Sequence, residues 1–422
     1  YLVIEKKILT VNTFFFYKLI RGVKMKRLFV AAFMFLSVLT TNVFAEIKMG
    51  VILGFTGPIE SLTPAMAASA ELAFKEVSDS GALLGGETIT PIRGDSTCID
   101  SAAAQTVAED LISQGVAAIM GADCSGVTGA IATNVAVPNG VVMISPSATS
   151  PGLTTLDDKG LFFRTAPSDA RGGQILADIT KDTKVSNKSI GSVAVTYTNN
   201  DYGKGLADVY AAALKAHGIT VTLVASHEDG KADYSAEVAT LAAAGGDVLA
   251  VIGYVDQGGK GMIQASLDTG AFDAFVLSDG MIGDSLTEAF GSDLNKSFGS
   301  LPGSLGKGAG IFTDVAAAGG IDPSGPYTGE SYDAAALIAL AIQAGGSADR
   351  SSIAGNVMSV ANGPGIKIYP GELGKALGFL AAGKAIDYEG ATGVNFTSVG
   401  EASGSFLEKE IENAKFRTVK QR

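Results

Sequence analysis

Lys48-Met49-Gly50-Val51-Ile52-Leu53-Gly54-Phe55-Thr56-Gly57-Pro58 decides the fold: a short, almost wholly apolar strand runs straight into a glycine-rich turn. Behind it, Pro64 to Asp79 carries Met66, Ala70, Ala73, Phe74 and Val77 at helical spacing, so strand, turn and helix follow in order. The same unit then repeats. Thr88 to Asp95 reads as a strand, Ala102 to Gln114 as a helix and Val116 to Met120 as a strand. Ser125 to Val137 reads as a helix opening at a Ser-Gly turn, and Val141 to Ile144 as a strand that stops at Ser145-Pro146. Short, buried strands alternating with helices predict a parallel sheet covered on both faces.

Phe162 to Thr165 leads into a second series. Its helices are expected at Arg171 to Lys181, Lys204 to His217, Tyr234 to Ala244 and Lys260 to Thr269, and its strands at Ser192 to Thr198, Thr220 to His227, Asp247 to Ile252 and Phe275 to Ser278. Two series imply an α/β protein of two doubly wound parallel-sheet lobes, and the residues past the signal segment described below exceed one ordinary core. Helices at Tyr332 to Ala344 and Ser351 to Val360, and short strands at Gly393 to Thr397 and Phe406 to Glu412, are read as completing both lobes. The expected division is 46–165 with 303–400 in lobe 1, and 166–302 with 401–422 in lobe 2.

Met25 to Ala45 has the form of a secretion signal: Lys26 and Arg27, an apolar run from Leu28 to Leu39, and small residues in Val43-Phe44-Ala45. The run is short of the ~20 residues of a membrane-spanning helix, and cleavage is expected near Ala45, which places the mature protein in the periplasm. Tyr1 to Lys24 (1–24) precede this start and are read as an upstream, non-structural segment. Seven of 31 Lys/Arg and one of 43 Asp/Glu lie before Glu46, so 24 basic and 42 acidic residues follow, a net charge of −18. That balance argues against nucleic acid or anionic membrane as a partner. In an oxidising compartment Cys98 and Cys124, the only two cysteines, are most simply one disulfide.

Open α/β sheets bind small ligands beyond the carboxyl ends of their strands. The loops there are Gly54 to Leu62, Gly121 to Thr128, Ser145 to Pro151, Asn199 to Gly205, Gly253 to Gly259 and Asp279 to Asp284. Ser125 opens a helix, where its hydroxyl and the free N–H groups suit a carboxylate. Ser147-Ala148-Thr149 lies between Pro146 and Pro151, which keep it extended with its main-chain groups free. Asp279 ends a strand and suits an ammonium group. Singly, each is also what a cap or a turn looks like; their placement at successive strand ends favours a site for both poles of an α-amino acid. Tyr202 and Tyr254 stand beside glycine turns.

Catalysis is not expected. Of two histidines, His217 precedes Gly218 as at a helix C-terminus, and His227 lies beside Glu228 and Asp229 in a stretch read as solvated. Neither stands near a candidate nucleophile or at metal spacing. Gly203-Lys204-Gly205 lacks the later glycine of a dinucleotide fingerprint. No cofactor and no metal is expected.

Cys98 to Cys124, Ser125-Gly126, Val137-Pro138, Met143 through Pro151, Phe163-Arg164-Thr165, Asp201-Tyr202-Gly203-Lys204-Gly205-Leu206 and Asp322-Pro323-Ser324-Gly325-Pro326-Tyr327 together resemble the leucine/isoleucine/valine-binding proteins of bacterial ABC transporters. They run in the family's order over nearly the whole mature chain. The resemblance implies the type I periplasmic binding protein fold, with a hinge of crossover strands between the lobes. It implies a free amino acid as ligand, an inner-membrane ABC permease as partner and a monomeric protein. The family's disulfide falls on Cys98 and Cys124, closing a loop of roughly 27 residues worth about 3.5 kcal/mol. The ligand carboxylate falls to Ser125, the ammonium-accepting carbonyl to Ser147, the threonine touching both poles to Thr149 beside Ala148, the second-lobe acid to Asp279 and the closing tyrosine to Tyr202. Tyr254 and Tyr327 match aromatic pocket positions.

Two departures bear on specificity. Leu62 stands where the branched-chain binders carry a tyrosine, and Asp123 where they carry a leucine just before the second cysteine. An acid at an apolar position is costly to bury unpaired, so a polar or cationic ligand side chain comes into view, unless Asp123 turns to solvent or bonds the backbone. A small-molecule sensor or amide-binding regulator on the same fold is the alternative to transport.

Overall fold

The structure is a computed structural model that describes residues 46–422; the signal segment and Tyr1 to Lys24 lie outside the described residues. A first, five-stranded sheet has the order β2-β1-β3-β4-β5, built from β1 (Glu46–Leu53), β2 (Thr88–Asp95), β3 (Ala118–Gly121), β4 (Val142–Ser145) and β5 (Phe162–Arg164). All its pairs are parallel. Between the strands run α1 (Thr63–Asp79), α2 (Ser101–Ser113) and α3 (Ser125–Ile131). α1 buries Met66, Ala70, Ala73, Phe74 and Val77, the apolar positions whose spacing marks it as a helix. Asp100 caps α2, its side chain accepting from the N–H groups of Ala102 and Ala103. α3 ends sooner than expected, passing into one π-helical turn at Ala132–Ala136.

After β5 come α4 (Asp169–Asp182), a small hairpin of β6 (Lys184–Val185) and β7 (Lys188–Ser189), and then the second sheet. β8 (Ser192–Thr198), α5 (Asp201–Ala216), β9 (Thr220–His227), α6 (Ser235–Ala244), β10 (Val248–Ile252), α7 (Gly258–Thr269), β11 (Phe275–Leu277), α8 (Asp284–Phe290) and β12 (Phe298–Pro302) alternate along the chain. α9 (Lys307–Ala318), α10 (Thr328–Gly345), α11 (Arg350–Ala361) and α12 (Leu373–Ala381) follow, with β13 (Ile366–Ile368) paired in parallel to β14 (Ile386–Tyr388). α10 is buried along almost its whole length and packs on α1 and α11. The chain then returns through β15 (Phe406–Glu412) and β16 (Lys415–Gln421). The second sheet has the order β16-β15-β12-β11-β10-β8-β9.

That sheet is not wholly parallel. β15 lies antiparallel to β12, and β16 lies antiparallel to β15 because the hairpin turn at Asn413 and Ala414, both at positive φ, needs no helical crossover. β12 escapes the sequence reading because Gly299 and Pro302 look like turn residues; Gly299 is there because a Cβ would stand 2.1 Å from the Leu277 carbonyl oxygen. Gly393 to Thr397 is not a strand: only Phe396 makes an isolated bridge, to Ala402. Among the described residues no helix is long and apolar enough to cross a membrane.

Candidate functional site

The carboxyl ends of β1, β3 and β4 in one lobe face those of β8, β10 and β11 in the other, and the cleft between them gathers the predicted residues. Asp279 stands two residues past the end of β11 and is 6% exposed. Its carboxylate accepts the Tyr202 hydroxyl at 2.7 Å and the Tyr327 hydroxyl on its other oxygen. Burial pushes this acid above its usual range, and the two tyrosine hydroxyls pull it back. Tyr202 sits in the first turn of α5, which Asn200 caps by accepting the Gly203 N–H at 3.0 Å. Gly203 is required by close approach, since a Cβ would meet the Thr198 carbonyl oxygen at 2.1 Å. Tyr254 stacks on Tyr202 with ring centroids 5.3 Å apart. Tyr327, at φ 60°, precedes α10 and reaches Asp279 from outside the second sheet.

On the opposite wall the Cys98–Cys124 disulfide, Cα–Cα 5.2 Å, ties the end of β2 to the start of α3. Ser125 opens α3, and its hydroxyl accepts the Ser150 N–H at 3.1 Å. The Ser147 hydroxyl donates to the Asp123 carbonyl oxygen at 3.1 Å. Asp123 does not turn to solvent: it is 2% exposed, and its carboxylate takes the Gly54 N–H at 2.6 Å, the Cys124 N–H at 2.9 Å and the Ser96 hydroxyl at 3.2 Å. Burial raises its pKa against these bonds. Asp123 thus bonds the backbone and at the same time lines the cleft.

Leu62, Asp123, Ser125, Ser147, Tyr202, Tyr254, Asp279 and Tyr327 share one pocket between the lobes. Only about 30 Å³ of space remains among them, so the lobes are shut over the site. Ala148 and Thr149 stand behind this ring rather than in it: the Ala148 carbonyl is turned to Arg164 Nη1 at 3.1 Å, and the Thr149 carbonyl accepts the Asp169 N–H at 2.8 Å. The Thr149 hydroxyl is buried without a partner among the described residues.

Sequence reasoning missed several neighbours. Ile59 and Met66 supply apolar wall, and nothing distinguishes them from ordinary core residues in the sequence. Asp169, 2% exposed, is pushed well above the usual carboxylate range by burial and then by the nearby Asp279 charge; its position four residues after Thr165 carries no signal. His227 is not solvated. It is 1% exposed, with Nδ1 at 2.8 Å from the Thr196 hydroxyl, because strand alternation in β9 turns it inward. No group of three or more His, Cys, Asp or Glu side chains among the described residues is placed to hold a metal.

Two α/β lobes shut over a buried pocket of hydroxyls, main chain and one acid make a protein that captures a small molecule. Residues 46–401 match the periplasmic binding proteins, and the chain belongs to that family of binding proteins, which are not enzymes. A Leu/Ile/Val-binding protein homolog from Brucella melitensis is 31% identical over 322 residues, 74% of this chain and 82% of the relative. A chemotactic signal transduction system substrate-binding protein from Halobacterium salinarum is 27% identical over 351 residues, 81% of each chain. Among solved structures, the branched-chain amino acid transporter substrate binding protein LivJ of Streptococcus pneumoniae, in complex with isoleucine, superposes with a TM-score of 0.72 at 23% identity, covering 90% of this chain and 99% of that one.

Proposed function

We propose that this protein is the periplasmic substrate-binding component of an ABC importer for amino acids, branched-chain or related polar ones, acting as a monomer that hands its ligand to an inner-membrane permease. The observation that carries the reading is Asp279: a buried acid of one lobe, held by two tyrosine hydroxyls, facing Ser125 and Ser147 of the other across a pocket. The ligand ammonium is assigned to Asp279 and to main chain at Ser147, and its carboxylate to Ser125 and the first N–H groups of α3. Residues 46–165 with 303–400, and 166–302 with 401–422, are the two bodies that move. A ligand bonded to both walls prefers the shut form, and that differential affinity shifts the hinge toward it, which the permease would recognise.

The test is a thermal-shift screen over the amino acids and small amides. A ligand at 100 times its dissociation constant should add about 2.7 kcal/mol of stability. Asp279→Asn should weaken every α-amino acid alike, by about a hundredfold, the scale of a buried charged hydrogen bond. The reading fails if no amino acid raises the melting temperature, or if Asp279→Asn leaves binding as it was. Sensing on the same fold is favoured by the chemotactic Halobacterium relative; neighbouring permease and ATPase genes would decide for transport.

A further inference from the structure

We propose that the hinge holds a second small-molecule site, for a zwitterion of about amino-acid size, in a cavity separate from the cleft. This cavity measures about 370 Å³, within the span of small-molecule sites, about 300–1,000 Å³. Its walls come from both lobes: the crossing segment after β12, the first turns of α9 and α10, and β15 and β16 through Lys409 and Thr418.

An acid and a base line it, Glu330 and Lys409. Glu330 is 4% exposed, yet among the described residues no other side chain bonds its carboxylate and no cation pairs with it. The Lys409 ammonium, half-buried, donates to the Thr418 hydroxyl at 2.8 Å, with the Asp284 charge nearby. Keeping a carboxylate charged at a buried position with no cation beside it is expensive. Burial accordingly holds Glu330 up at about 8 and pulls Lys409 below its ordinary value. A first-turn acid on α10 is by itself ordinary helix chemistry, but one buried with no cation beside it is not. A ligand ammonium beside Glu330 draws it into its carboxylate form, and the ligand carboxylate on Lys409 and the leading N–H groups of α9 satisfies the other pole. Tyr327 is the shared wall, lining this cavity while its hydroxyl binds Asp279 in the cleft. Occupancy of one site therefore alters affinity at the other, by the same factor in both directions.

The experiment counts bound equivalents by native mass spectrometry and calorimetry, with glycine, L-alanine, L-leucine, L-glutamate and L-lysine as probes. At least one probe should give two equivalents on the wild type and one on Asp279→Asn. The remaining equivalent should weaken at least about tenfold, the scale of one lost charged contact, when Lys409→Met is added. Ala309→Phe, which fills the cavity and leaves both charges in place, should do the same and guards against misfolding of the lysine variant. The proposal is overturned if no probe yields a second equivalent, or if that equivalent survives both substitutions. Loss on Asp279→Asn reports the cleft and loss on Lys409→Met the hinge, so the two readings fail separately.

Discussion

Arg164 fixes the rim on which the first-lobe half of the cleft depends. Its guanidinium is 1% exposed; Nη1 donates to the carbonyls of Ala148 at 3.1 Å and Ser150 at 2.9 Å, and Nη2 to the Thr154 hydroxyl at 2.8 Å and the Glu401 carboxylate at 2.5 Å. Removing one member of a buried ion pair strands the other, so Arg164→Met should lose about 3–5 kcal/mol in urea unfolding. Adding Glu401→Gln should restore part of that loss, and a deficit under about 1 kcal/mol would show the pair to be unimportant. Asp123 lies at the same scale. Asp123→Asn puts an amide N–H against the Gly54 or Cys124 N–H, and should cost about 1–3 kcal/mol of stability. It should also move the ligand ranking away from cationic side chains, read from thermal shifts. Ser125, Tyr202 and Asp279 were legible because polar residues at strand ends stand out against apolar strands. Arg164 was legible only through the resemblance, and Asp169 not at all, because its partners are set by chain crossings far apart in sequence.

At the scale of elements, strands buried on both sides announce themselves, while strands completed late do not. β1, β8 and β10 are near-continuous apolar runs, so their reading needs no partner; β12 carries Gly299 and Pro302, and β16 alternates half-buried and exposed residues, a pattern that gains meaning only from β15 beside it. β9 makes a sharper case. Its last residue, His227, looks solvated from Glu228 and Asp229, yet burial drives its pKa down to about 4, with Glu237 raising it slightly. The unfolded chain binds this proton below about 6.5 and the folded one only below about 4. Stability is therefore complete above the unfolded value and falls as pH drops through that window, by about 3 kcal/mol in all. Denaturant unfolding of wild type and His227→Gln from pH 7 to pH 4 should show this slope in the wild type and its absence in the variant. Parallel slopes would place the acid sensitivity elsewhere.

The whole molecule adds what no element contains, a contact across the lobes that involves no ligand group. Asp256, in the loop after β10, donates its N–H to the Pro58 carbonyl at 3.0 Å, and its carboxylate accepts the Ser61 N–H and the Ser285 hydroxyl, each at 2.8 Å. Ser150 answers on the other flank, its hydroxyl donating to the Asp201 carbonyl at 3.0 Å. The bonds to Pro58, Ser61 and Asp201 span the lobes, so they belong to the closing equilibrium and not to ligand recognition. Pairings of this kind are invisible in the sequence, since Ser61 and Asp256 lie in separate βαβ series and each reads as a loop residue. Asp256 is not among the residues walling the cleft, which makes its contribution separable. Asp256→Ala removes one hydrogen bond across the lobes, Ser61 main chain to carboxylate, worth about 1–3 kcal/mol against water, besides the Ser285 bond within its own lobe. Apparent affinity scales with the closed fraction, so every cleft ligand should weaken by about tenfold with its ranking unchanged. Small-angle scattering of the saturated variant should match the saturated wild type, because enough ligand still shuts the hinge. Unchanged affinity would mean that closure is carried by the cleft alone, and a changed ranking would mean that Asp256 reads the ligand after all.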